Sequence, residues 1–417
     1  MNILRNIKGT KDLLPIDTYS WQNLESRIHH FCQQFGYNEI RTPIFEESLI
    51  FERGIGSETD IVNKEMYSWL DQGGKSLTLR PELTAPVVRA YIQHELGKSS
   101  SINKLYYLGS LFRRERPQKG RQRQFHQFGV EVFGSKFPEQ DAEVIIMAYT
   151  FLQSLGLQKL DLEINTIGSQ INRLEYISEL KNLLDKYRNH LSDLDQKRLD
   201  KNPLRLFDSK DSKCIDLLQN KVPTIYKYIV KEDKDHFLSV CKILDNLSIP
   251  YKHNERLVRG LDYYTHTTFE IKSRSLGAQD AICGGGRYDG LVKQLGGKDT
   301  PAVGFAAGIE RIMISLDEKT KSAPLDIFII TMGPDAIQCG MKIANTLRLD
   351  GGFSVMTETL QRSLRAQMRD ANRLCAKHAI IIGDDEIKNS IFSIKNMIDG
   401  SQTDIHKDDL LNYFMQK

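Results

Sequence analysis

Residues 112–134 read FRRERPQKGRQRQFHQFGVEVFG. Both ends carry the aromatic and β-branched residues of strands. The middle, from Arg113 to Arg123, holds six arginines or lysines with a proline and a glycine among them, which is turn chemistry. The pattern predicts an antiparallel hairpin, strands 105–114 and 124–133, with a cationic tip. Side chains alternate along a strand. Phe125, Gln127, Gly129, Glu131 and Phe133 therefore share one face, and His126, Phe128, Val130 and Val132 the other. The second face is mostly apolar and suits a core. The first offers a ring, an amide, an open glycine and a carboxylate. Leu111, Arg113 and Glu115 share a face of the partner strand. One sheet surface is thus expected to carry Arg113, Gln127 and Glu131, under a loop able to close over a polyanion. Read alone, the segment is a solvated sheet face with a charged tip, so the other segments must decide.

Outward from the hairpin, residues 19–35 place Trp21, Leu24, Ile28, Phe31 and Phe35 at helical spacing before Gly36. A strand follows and meets Pro43. Residues 141–155 read as a buried helix and LDLEINTIG as a strand. Residues 169–250 are charged and leucine-spaced, an all-helical block. Strand signals return at 256–271 and 281–288, and PAVGFAAG runs into the helix IERIMISL. Strands on both sides of a helical block imply one antiparallel-sheet α+β domain (1–168 and 251–322) with a helical insertion (169–250). DIFIITMG, FSVMTE, HAIIIGDD and IFSIKNM then read as strands of a separate α/β domain over 325–417.

Of 417 residues, 40% are hydrophobic and 27% charged, the balance of a globular protein of two or three domains. The six cysteines stand singly, without metal or disulfide spacing, so no structural metal is expected and a reducing compartment fits. The N-terminus lacks the apolar core of a signal peptide, and no run is long enough to span a bilayer. A net charge of +3 means that any nucleic-acid site is a local patch.

Four segments join the hairpin. In TLRPELTAPVVRAY (78–91) the two prolines predict non-helical backbone up to Val87. Glu82 and Thr84 lie between them, the carboxylate suited to an ammonium, a metal or a helix cap. In ERLVRGLDYYTHTTFEI (255–271), alternation puts Asp262, Tyr264, His266 and Thr268 on one face, and Tyr263, Thr265, Thr267 and Phe269 on the other. Arg259 precedes Gly260, which allows its guanidinium to be aimed inward at a phosphate. CGGGRYDGL (283–291) lacks phosphate-loop spacing; it is a tight turn or a strand that a flat ligand can approach. In AVGFAAGIERIMISL (302–316), Arg311 sits in the first turn of a helix, a place that favours anions, or else pairs with Glu310. Farther on, Arg362, Arg365, Arg369, Arg373 and Lys377 recur every three or four residues. They predict a basic helix stripe, either solvated or facing a phosphate backbone.

This ordered set resembles the class II aminoacyl-tRNA synthetases. The first helix with the strand to Pro43 is similar to motif 1, FRRERPQKGRQRQFHQ to motif 2 and GFAAGIERI to motif 3. LVRGLDYYT and GGGRYDGL resemble the two signatures of the histidyl-tRNA synthetase family of bacterial type, as do KGTKDLLP at the start and SLRAQMRDANRL and IIIGDDEI near the end. Leu83 and Gln122 depart from the family's usual Gly and Tyr. The resemblance implies a cytoplasmic homodimer that acts on L-histidine, ATP with magnesium, and tRNA(His). It implies that Arg113 and Arg259 are catalytic, binding the α-phosphate and the substrate carboxylate, and that Arg311 and Arg121 take the γ-phosphate. Phe125 would stack on adenine beside Glu115. Glu82, Thr84 and Gln127 would meet the ammonium. Glu131 and Tyr264 would read the imidazole, with Tyr263 and Tyr288 lining the pocket. Arg116 and Gln118 would approach the acceptor end of the tRNA, and the insertion its acceptor arm. A regulatory paralogue without catalysis is expected to lose the motif arginines or the C-terminal domain, and this chain keeps both. A plain RNA-binding protein leaves the aligned carboxylate, amide and arginines unexplained.

Overall fold

In the computed structural model the described residues are 3–56, 59–118, 120–276, 281–316 and 325–416. They fall into two compact units, one carrying 21–316 with 3–12, the other 325–416 with 13–20.

The large unit is built on an eight-stranded sheet. Its order is Asn38–Glu39, Asn103–Phe112, Gln124–Phe133, Ala302–Gly308, Ala281–Arg287, Thr265–Ser273, Leu160–Thr166 and Lys252–His253. All pairings are antiparallel except those of the two short edge strands. The hairpin forms with Leu111 opposite Phe125, Gly109 opposite Gln127, and Tyr107 opposite Gly129. Its first strand ends at Phe112, two residues before the expected end, because Arg113 turns into the loop. Phe128, Val130 and Val132 are buried on the apolar face as parity requires. The helix Pro138–Ser154 packs there, Phe151 against Phe128 with ring centroids 5.0 Å apart.

Two expectations fail. The helix after Pro81 starts at Thr84, not Val87. Pro86 falls in its first turn, where the missing N–H has no intrahelical acceptor in any case. Residues 256–264 are not a strand; the strand begins at Thr265, so the predicted face alternation across Asp262, Tyr263 and Tyr264 does not hold.

The insertion is helical, with Gln170–Asp185, Asp193–Lys201, Ser212–Asn220 and Lys231–Asn246 as its main helices. Many of its buried side chains join the core of the sheet domain. Tyr176, Leu180, Leu184, Leu199 and Leu206 belong to one apolar cluster with Tyr107, Leu111, Tyr263, Tyr264 and Tyr288 of the sheet domain.

The small unit has a five-stranded sheet ordered Val355–Thr357, Ile327–Thr331, His378–Ile382, Ile391–Asn396, Gln402–His406. The last strand was not anticipated: it is a polar, exposed edge, QTDIH, with no apolar alternation to betray it.

Candidate active site

A cavity of about 590 Å³ opens on the large sheet. Four adjacent strands, 124–133, 302–308, 281–287 and 265–273, supply its floor. Glycines let side chains lie against that floor. Gly304 is opposite Glu131, and a Cβ there would come within 2.0 Å of Glu131 Oε2. A Cβ at Gly284 would stand 2.3 Å from Arg259 Nη2 and 2.5 Å from its Cζ. The glycine-rich segment is thus a strand as far as Arg287, with a turn at residues 289–290 beyond it, and one of its strand glycines houses the Arg259 guanidinium.

The cavity has two chemical ends. At one, Glu131 is buried and accepts three hydroxyls: Thr84 Oγ1–H at 2.7 Å, Tyr107 O–H at 3.1 Å, and Tyr288 O–H. Burial raises its pKa to about 8, against the pull of the Tyr288 and Thr84 hydrogen bonds. Tyr263 and Tyr264 stand together here, centroids 4.7 Å apart, with Tyr288 5.5 Å from Tyr263. Both line the same cavity, which strict alternation forbade and the loop conformation permits. Glu82 is a helix cap: its carboxylate accepts the N–H groups of Thr84 at 2.7 Å and Ala85 at 2.8 Å. Burial still raises its pKa. Gln127 lines the cavity between the two ends of the floor strand.

The other end is cationic. Arg113 donates through Nε to the Pro81 carbonyl at 2.8 Å and stacks on Phe125, its Cζ 5.2 Å from the ring centroid. Glu115 holds Arg121 at 3.1 Å and faces Arg113 at 3.8 Å. Arg311 does not pair with Glu310; that carboxylate accepts the His126 N–H and meets its ring. Arg311 instead donates to the carbonyls of Gly120 and Ala281. Burial, then the neighbouring Arg121 charge, lower its pKa. An anion placed here would relieve both costs. Arg259 pairs with Glu270, and its buried Nε has no hydrogen-bond partner among the described residues. An unpartnered buried donor is costly, and the residue that bears it lines the cavity, where an anion could meet its guanidinium.

Arg116 and Gln118 are exposed on the loop and do not line the cavity. Glu270 and Tyr107 also line the cavity, beyond the residues that the motifs single out. Parity from Thr268 would have placed Glu270 on the cavity face, and parity from Leu111 would have done the same for Tyr107. Among the described residues no three His, Cys, Asp or Glu side chains gather to hold a metal.

In the small unit the predicted basic stripe shrinks. The helix is Leu364–Arg373. Arg362 precedes it and pairs with Glu358 at 2.9 Å and with Asp370; Arg373 also pairs with Asp370, at 2.9 Å, and Lys377 with Asp326 at 2.8 Å. The acidic partners come from loops and from the helix itself, out of sight of a one-face count. Arg365 and Arg369 remain without ion pairs among the described residues. They border a shallow hollow with Leu364, Met368, Asn372 and Met397.

The geometry has close counterparts. Residues 9–312 match the family model described as histidyl-tRNA synthetase, and residues 326–417 the one described as anticodon binding domain. A histidine–tRNA ligase of Microcystis aeruginosa is 46% identical over 413 residues, 99% of this chain and 96% of the relative. One of Caldicellulosiruptor saccharolyticus is 44% identical over 414 residues, 98% of each. The crystal structure of apo S. aureus histidyl-tRNA synthetase superposes with a TM-score of 0.83 at 38% identity, covering 99% of this chain and all of that one. With both family models matched and relatives aligned over nearly the whole length, the chain belongs to the histidyl-tRNA synthetase family.

Proposed function

We propose that this chain is a histidine–tRNA ligase, an enzyme that activates L-histidine with ATP and transfers it to the 3′ end of tRNA(His). The observation that carries the reading is the polarity of one cavity: a buried carboxylate ringed by hydroxyls at one end, and Arg113, Arg121, Arg259 and Arg311 at the other. The histidine ring belongs with Glu131 and Tyr264, between Tyr263 and Tyr288. Its ammonium belongs near Glu82, Thr84 and Gln127, and its carboxylate near Arg113. ATP lies across the cationic end, adenine against Phe125 near Glu115, with the γ-phosphate at Arg311 and Arg121. One oxygen of the histidine carboxylate attacks the α-phosphorus. The bond to the bridging oxygen breaks, and pyrophosphate leaves with the electron pair. Arg259 meets the charge growing on the α-phosphate. Positioning and electrostatic stabilisation supply most of the acceleration. The terminal ribose hydroxyl of the tRNA then displaces AMP from the acyl carbon. Magnesium would arrive on the nucleotide phosphates and offset their charge, since Glu115 and Glu270 are engaged by arginines.

The reading assigns residues 1–168 and 251–322 to catalysis, 169–250 to the insertion and 325–417 to tRNA recognition. Arg365 and Arg369 contact tRNA there, with Arg362 and Arg373 neutralised in part by Asp370. Arg116 and Gln118 meet the acceptor end. A homodimer is supported by exposed Ile44, Phe45, Leu49, Trp69 and Leu70 on and beside the three-stranded sheet of residues 45–47, 76–79 and 67–70, apolar side chains that a partner subunit could cover. No helix among the described residues is long and apolar enough to cross a membrane, and the six cysteines are free thiols, which supports a cytoplasmic place of action. The test is pyrophosphate exchange into ATP without tRNA, across all twenty amino acids. Exchange with histidine alone is the expected result. No exchange from folded protein would turn the reading toward a regulatory paralogue.

A further inference from the structure

The segment that carries Arg259, Tyr263 and Tyr264 has no ladder of its own, since the strand starts only at Thr265. Buried carbonyls need donors, and here the insertion provides them. Arg173, on the helix Gln170–Asp185, donates through Nη1 to the carbonyls of Asp262 at 3.0 Å and Tyr264 at 2.6 Å. Arg205, in the turn Pro203–Asp208, donates to the carbonyl of Gly260, the residue after Arg259. Asn202 Nδ2–H donates to Asp262 Oδ1 at 2.8 Å. The opposite side is fixed as well. The Asp262 N–H reaches the Ile55 carbonyl at 3.2 Å, and a Cβ on Gly56 would come within 2.5 Å of Asp262 Oδ2. Alternate carbonyls, 260, 262 and 264, thus hang on guanidinium donors from a block of chain more than fifty residues earlier.

We propose that the helical insertion is part of the active site, with Arg173, Asn202 and Arg205 as positioning residues for the backbone of residues 259–264. Arg205 sets Arg259 toward the α-phosphate. Arg173 and Asn202 set Tyr263 and Tyr264 around the imidazole. The proposal rests on the functional reading above.

The experiment is histidine-dependent pyrophosphate exchange on full-length variants, with histidine and ATP titrated and Tm measured for each. R205M is expected to lower kcat about tenfold or more with little change in the histidine KM, because small misplacements of a reacting group are expensive. R205K, which keeps one donor, should recover part of that loss. N202A and R173M are expected to raise the histidine KM about fivefold with a smaller change in kcat. If R173M does not fold, R173K replaces it, with a smaller rise in KM. Variants that lose Tm yet keep both kinetic constants, or that lower kcat and raise KM alike at all three positions, would overturn the proposal and leave the insertion a scaffold. R259A separates the two levels. No histidine-dependent exchange by the wild-type chain sinks the functional reading; wild-type exchange by R259A removes Arg259 from the reaction and the positioning with it; an inactive R259A beside a wild-type R205M sinks only the positioning.

Discussion

Replacing Gly284 by alanine should disable activation without unfolding the chain. The added Cβ would sit 2.3–2.6 Å from three atoms of the Arg259 guanidinium, well inside van der Waals contact. Those atoms are the mobile end of a side chain, whereas the backbone at Gly284 lies in a regular strand that alanine accepts. The clash is therefore relieved by moving Arg259, not by breaking the sheet. Folding stability should change by less than about 1 kcal/mol, since alanine is the better strand residue entropically. Losing one pre-aimed donor from the transition state costs about 10²–10³ in kcat. The same loss is expected of R259A, which should keep histidine binding nearly intact. Pyrophosphate exchange gives kcat and KM, and histidine binding by calorimetry gives the ground state. The double variant G284A/R259A should be no slower than R259A alone, because both remove the same interaction. Wild-type kcat in G284A, or full additivity in the double variant, would falsify the account of Gly284 as the seat of Arg259.

Other outcomes follow from the same geometry. Burial raises the Glu131 pKa to about 8, so below that pH the carboxyl holds a proton that an incoming imidazole N–H must displace. The histidine KM should fall as pH rises, by roughly tenfold per unit between about 6.5 and 8, and level off above. E131Q should lose this slope, and a flat wild-type profile would refute it. Removing both charges in R365A/R369A should weaken tRNA charging and reduce the salt dependence of tRNA binding by about two in log–log slope, with exchange unchanged; unaltered aminoacylation kinetics would end the tRNA assignment of that helix. Asp141 is wholly buried, and although burial raises its pKa, His236 and Arg287 together bring it below 3.8. Its stabilising contribution is present above that value and is lost as acid titrates the folded carboxylate. D141N should cost about 3–5 kcal/mol in chemical denaturation at neutral pH by stranding the Arg287 charge, and a loss under 1 kcal/mol would show that Ser135 and Asp289 suffice for Arg287.

Local rules carried the reading as far as regular elements extend. In the hairpin, a period of two put Gln127 and Glu131 on one face, and the 10-residue strand Gln124–Phe133 obeys it. In Ile309–Leu316 the helix begins where the sequence puts it, with Arg311 in the first turn and at the cavity. The same rule failed at residues 256–264, where the conformation is held by Arg173 and Arg205 and not by a neighbouring strand. The basic stripe was shortened for a like reason, because Asp326 and Glu358 reach Lys377 and Arg362 from other elements.

The sequence by itself therefore determined the sheet domain, its helical insertion, the separate C-terminal α/β domain and the residue types of the site, since periodicity and turn chemistry act between near neighbours in the chain. Tertiary structure alone decided what each charge meets. Glu270 is eleven residues from Arg259, Gly284 twenty-five, Tyr288 more than a hundred and fifty from Glu131. Contacts across such separations depend on how strands are ordered in the sheet, and no local period encodes that order.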